Sequence, residues 1–178
     1  MAKVKWTLDP AHSEVTFKIR HMVIANVSGD FSKFTVDAET EDEDFSTAKV
    51  KFTADVDSVS TGNAQRDGHL KTDDFFNTAQ YPQIKFTEKR AESVDNDGSY
   101  ELYGDLTIRD VTREVKFDVE FGGVIKDPWG NTRAGFSVNG KINRKDFGLK
   151  WHAVTEAGGL VAGDDVDIHC NFELIRQA

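Results

Sequence analysis

A chain of 178 residues suits one domain, and its 38% hydrophobic and 30% charged content is ordinary for a globular protein. The formal net charge of −9 argues against nucleic acid, whose binding rests on phosphate neutralisation, and against docking to a surface of anionic lipid headgroups. Cys170 stands alone, which excludes an intrachain disulfide and a thiolate metal cluster, and no stretch is long and apolar enough for a membrane-spanning helix.

Strand-like alternation begins at once. The N-terminus runs into Val4 and Trp6 with no signal-peptide core, so the expectation is a cytoplasmic protein, or a periplasmic one if the chain is a trimmed precursor. Asp9-Pro10 makes a turn. From Ser13, Val15, Phe17 and Ile19 share one face while Glu14, Thr16, Lys18 and Arg20 share the other. Met22 to Phe34 continues as strand, and Gly29 is read as a bulge or bend. The acidic run Glu39 to Asp44 reads as a solvated loop without calcium-loop spacing. Val50, Phe52, Ala54 and Val56 then point one way, and Lys49, Lys51, Thr53 and Asp55 the other.

Ser60 to Phe86 is the one long segment that breaks this alternation. It joins a turn (Thr61, Gly62, Asn63), a polar run (Gln65, Arg66, Asp67, His69, Lys71) and an apolar end (Leu70, Phe75, Phe76), and Tyr81-Pro82 returns the chain to an extended course. A plug closing a barrel end and the rim of a ligand site both fit such a segment. After it, Ile84 and Phe86 lead to a hairpin turn at Asp95-Asn96-Asp97-Gly98. Tyr100, Leu102, Leu106 and Ile108 share a face with Gly104, and Val115, Phe117, Val119 and Phe121 form the next. A turn at Asp127 to Asn131 leads into Ala134, Phe136, Val138 and Ile142, with Gly140 among them. Asn143 to Trp151 reads as a helical turn and Val154 to Gly163 as a glycine-rich loop. The last strand turns Val166, Ile168, Cys170, Phe172 and Leu174 inward.

About eight antiparallel strands with one apolar face predict an all-β fold, a single sheet closed into a barrel wide enough for packed side chains or one small ligand. The interior is aromatic, with 13 Phe against 3 Tyr and 2 Met, and its small members (Gly104, Gly140, Ala54, Ala134, Cys170) fit either complementary packing or a tunnel. The 5 histidines, at positions 12, 21, 69, 152 and 169, form no metal-ligand pair. A nucleophile elbow and a phosphate-cradling loop are missing, and Cys170 faces an apolar interior that disfavours thiolate. No catalytic residue, metal or cofactor is therefore expected.

Several motifs together resemble the YceI-like family of lipocalin-like polyisoprenoid-binding proteins. They are the run from Asp9 to Phe17 with His21-Met22 and Gly29-Asp30-Phe31; Val56 to Asn63 leading into Arg66-Asp67-Gly68-His69-Leu70 and Asp74-Phe75-Phe76; Tyr81-Pro82 with Phe86; Gly104 to Ile108; Asn143 to Leu149; and Val166-Asp167-Ile168. The resemblance spans nearly the whole chain, 1–178 as one domain. It implies an extended lipocalin-like barrel with short helical segments near its ends, which binds long isoprenoid chains, prenyl quinones included, and is often a homodimer. Asp110 departs from the family pattern where glycine is usual, and His152 where a smaller amide is commoner; Asp110 is expected to take the left-handed turn position.

The expected function is binding, carriage or storage of a long isoprenoid amphiphile, of the polyprenyl or prenyl-quinone type. Its tail would lie against Phe17, Ile19, Phe31, Phe52, Phe75, Phe76, Phe86, Leu106, Phe117, Phe136, Ile142 and Trp151, and its head near His21, Arg66, His69 and Arg144. Two rivals stand beside it: an enzyme acting on such an amphiphile, and a filled barrel serving as an interaction module, which predicts no internal cavity.

Overall fold

A computed structural model of the protein describes residues 2–21, 25–73, 75–94, 98–149 and 162–177. Its alternating segments form an 11-stranded antiparallel sheet. The strands are β1 (Lys3–Leu8), β2 (Glu14–His21), β3 (Ala25–Phe31), β4 (Phe34–Glu41), β5 (Asp44–Asp55), β6 (Val59–Ser60), β7 (Gln83–Val94), β8 (Ser99–Ile108), β9 (Val111–Lys126), β10 (Thr132–Asn143) and β11 (Ala162–Arg176), with a helix α1 (Ala64–Leu70) between β6 and β7.

Pairing runs from β1 through β4, β5, β7, β8, β9, β10 and β11 and back to β1, so the sheet is closed. The remaining strands extend the wall lengthwise. β2 pairs with β11 beyond the point where β1 leaves it, β3 pairs with β2 as β4 does with β1, and β6 pairs with β3 as β5 does with β4. The result is an up-and-down barrel of 8 strands, in which β1–β2, β3–β4 and β5–β6 are each one strand interrupted once. β9 alone has 16 residues, about 50 Å of extended chain at ~3.3 Å per residue. The barrel is long.

Interruptions in neighbouring strands are tied to one another. The chain bends at Ser32 and Lys33, where Lys33 N donates to Ser58 Oγ at 3.1 Å and Asp55 N donates to Lys33 O at 2.9 Å. This bend corrects the reading of Gly29, which sits in regular register opposite Phe17. Glycine is required there because a β-carbon would collide with the Phe17 ring and stand 2.9 Å from Ser60 O. The acidic run is also not a loop: Glu39 to Glu41 end β4 and Asp44 opens β5, leaving only Asp42 and Glu43 in the turn. In the β8–β9 turn the left-handed residue is Arg109, with φ of 56°, rather than Asp110.

The Asp127 to Asn131 turn forms as expected, with Asp127 Oδ1 accepting from the amides of Trp129 and Asn131, each at 2.9 Å. Strands β7 and β8 pair up to Val94 and Ser99, flanking the turn expected over Asp95 to Gly98, of which 95–97 lie outside the described residues. Arg144–Phe147 is a single 3-10 turn closed by Gly148 in the left-handed region, φ 80°. Of the expected glycine-rich loop, 154–161 lie outside the described residues, and Gly163 belongs to β11.

Two buried clusters stack along the barrel. Phe31, Phe86, Phe117 and Phe147 belong to the one towards α1, and Trp6, Val36, Phe45 and Leu174 to the one at the opposite end.

Candidate functional site: an apolar barrel lumen

Inside the wall lies a cavity of about 700 Å³, within the ~300–1,000 Å³ usual for small-molecule sites. Period-2 alternation places the lining. Phe17 and Ile19 come from β2, Phe31 from β3, Phe52 from β5, Phe86 from β7, Leu106 from β8, Phe117 from β9, and Phe136 and Ile142 from β10; Phe75 and Phe76 come from the segment after α1. All border the cavity, as do Val166, Ile168, Cys170, Phe172 and Leu174 of β11. Trp151 lies outside the described residues. An open lumen overturns the filled-barrel expectation.

The lumen stays open partly because large rings sit against glycines. Phe17 occupies the space over Gly29, Phe86 that over Gly104 and Phe117 that over Gly140. A ring lying along the wall shields the bare glycine backbone and keeps its bulk off the barrel axis. At the end away from α1 the lumen meets an aromatic floor. The Phe45 ring centroid is 4.8 Å from both Trp6 and Phe136 and 5.1 Å from Phe121. Trp6 Nε1 donates to Thr40 Oγ1 at 3.0 Å, which satisfies the indole where it is buried.

The other end carries the polar groups. Asn63 Oδ1 accepts from Arg66 N at 3.0 Å, an N-cap that starts α1. Arg66 folds back, Nε donating to Thr61 Oγ1 and Nη2 to Thr61 O, both at 2.7 Å. Asp67 Oδ1 accepts from the amide and hydroxyl of Thr61. His69 stands edge-on to Phe75 at 5.2 Å. Arg109 clamps the segment after α1, its Nη1 donating to the carbonyls of Asp73 and Phe75 and its Nη2 to Asp73 Oδ1 at 3.0 Å.

Arg144 is buried, with 2% of its side chain exposed. Its Nε donates to Gly163 O at 2.7 Å and its Nη1 to Leu149 O at 2.6 Å. Burial lowers its pKa, against the opposing pull of Asp164. Arg66, His69 and Arg144 border the cavity as the sequence placed them; the backbone of His21 ends β2 opposite Ala162. Sequence reasoning missed Arg20, Thr61, Asn63, Gln65 and Phe45, all on the lining.

Outside the lumen, Asp9, His12 and Glu173 bring three ligand-type side chains together. Arg133 already supplies the cation there: Nη1 contacts Asp9 and Glu173, and Nε donates to Asp127 Oδ2 at 2.6 Å. Within the lumen, burial pushes the Cys170 thiol up to about 12. A thiol held neutral at physiological pH is a poor nucleophile.

The family model of the YceI-like domain matches residues 6–174. The chain belongs to the YceI-like family. It is similar to a UPF0312 protein of Staphylococcus aureus (strain MSSA476), 40% identical over 169 residues that cover 94% of this chain and 95% of that one. Among solved structures, the YceI protein of Campylobacter jejuni is 36% identical with a TM-score of 0.76, covering 96% of this chain and 97% of the other. A polyisoprenoid binding domain from Saccharophagus degradans shares the YceI-like fold at 17% identity and a TM-score of 0.68, over 97% and 98% of the two chains.

Proposed function

We propose that this YceI-like barrel binds and carries a long-chain isoprenoid amphiphile, of the polyprenyl or prenyl-quinone type, with its tail in the lumen and its head at the α1 end. The observation that carries this reading is the phenylalanine-lined cavity of about 700 Å³. Each methylene taken from water into such a space contributes about 0.8 kcal/mol, so a prenyl tail needs no polar contact to bind tightly. The Saccharophagus degradans neighbour, described as a polyisoprenoid binding domain, supports the ligand class. Burial holds the lumen's thiol neutral, which speaks against thiolate chemistry at Cys170.

Native mass spectrometry followed by organic extraction tests the reading. A discrete added mass that extracts as a prenyl lipid is the expected result. An apo mass, combined with no uptake of added prenyl alcohols or quinones, rejects it.

A further inference from the structure

The chain carries 31 acidic and 22 basic residues, yet the charged residues that border the lumen are Arg20, Arg66 and Arg144, with no aspartate or glutamate among the described residues of the lining. Random placement of an acidic chain's charges would give the opposite balance. The arginines come from separate elements, β2, α1 and the 3-10 turn after β10, and the aromatic floor at the far end holds no charge. We infer that this mouth selects an amphiphile whose head is an oxyanion, a phosphate, diphosphate or carboxylate, over one with the same tail and a neutral head.

The local hydrogen bonds fit that role. Arg66 is held by Thr61 through Nε and Nη2, which fixes the guanidinium plane and leaves Nη1 for a ligand. Arg144 is withdrawn from water and braced on the carbonyls of Leu149 and Gly163. Asp67 is turned to other work, taking the amide and hydroxyl of Thr61. Asp164 lies 3.2 Å from Lys145 Nζ and 3.8 Å from Arg144 Nη2, so its charge is shared between two cations. Beside an apolar lumen the effective dielectric is low, so an oxyanion gains charge-assisted hydrogen bonds that an alcohol cannot match. The selection also orients the ligand, since the head has partners at one end only.

This inference rests on the carrier reading, so the test keeps the tail constant. Farnesol, farnesyl monophosphate and farnesyl diphosphate are titrated into the whole protein by calorimetry at low and high salt. The phosphates are expected to bind about tenfold or more tightly than the alcohol, with the gap narrowing as salt rises. Arg66→Gln and Arg20→Gln, on different elements, are expected to narrow it by weakening the phosphates more than farnesol. Equal binding of all probes overturns the head selection and leaves the carrier reading standing. Failure of every probe to bind overturns both. A phosphate preference undiminished in the Arg20→Gln/Arg66→Gln double variant overturns the assignment to these arginines.

Discussion

Phe117 fills the space left by the missing side chain of Gly140: a β-carbon built on that glycine would collide with Cδ1 and Cε1 of the ring. Phe17 and Gly29 repeat the relationship on another part of the wall. Each pair trades a side chain on one strand for a ring laid across from its neighbour, and that exchange helps to keep the lumen open.

Gly140→Ala and Gly104→Ala are expected to fail in different ways. At Gly140 the obstructing atoms all belong to the Phe117 ring, which is able to swing inward. This variant is expected to keep near-normal stability and lose affinity for prenyl alcohols. At Gly104 a β-carbon also meets Thr87 O at 2.5 Å, and backbone does not yield cheaply. Overpacking there is expected to cost about 1–3 kcal/mol, only partly offset by the lower chain entropy of alanine. Thermal melts and ligand titrations on both variants separate the two effects.

The Asp9–His12 pair predicts a two-sided pH dependence. His12 Nδ1 lies 2.7 Å from Asp9 Oδ2, and that bond, with the Asp9 and Glu173 charges, raises the imidazole pKa despite Arg133 nearby. Stability from this group is fully present below the unfolded value of about 6.5 and lost as pH climbs through the raised folded value. Asp9 runs the other way. Its pKa is lowered by His12 and then Arg133, so its contribution is present above about 3.9 and lost as pH falls through the lowered value. Tm measured against pH is expected to decline from pH 6 to 8 in the parent protein and to stay flatter in His12→Gln. Parallel curves would show that the pair contributes nothing.

The barrel was legible because a half-buried strand has a period of 2, and most inward residues read from that period border the lumen. Features set by partners distant in sequence were not legible. Gly29 looks like a bulge until Phe17 is known to lie opposite it. Phe45 directly follows Glu41-Asp42-Glu43-Asp44, where local charge hid a floor residue, although Val36 and Ala38 alternate correctly before the run. Helix α1 has 7 residues, none of them buried, so its only local signal is the Asn63 cap. The carbonyl partners that let Arg144 be buried arise from chain closure around it.

Cys170 is expected to resist labelling. It is buried on the lumen wall, and a pKa of about 12 leaves almost no thiolate at pH 8. Iodoacetamide is expected to modify it only after denaturation in guanidinium, as read by intact mass. Rapid modification of the native protein at pH 8 would place the thiol in an open, polar setting and contradict its burial on an apolar wall.

Phe45 is expected to act as the stop that sets tail length. It borders the cavity and packs between the rings of Trp6, Phe121 and Phe136, so a tail entering from the α1 end meets it last. Phe45→Ala removes the ring and leaves the Trp6–Thr40 hydrogen bond in place. The stability loss is expected to be about 3–5 kcal/mol, as for other buried phenylalanines, with the vacated space added to the lumen. Each further methylene accommodated contributes about 0.8 kcal/mol, close to fourfold in affinity. In a series of prenyl alcohols of increasing length, affinity for the parent protein is expected to rise and then level off where the tail reaches the floor. In Phe45→Ala the levelling point is expected to move to longer chains. A variant that loses stability while levelling at the same length would show that the tail stops short of Phe45, and that the floor only closes the barrel.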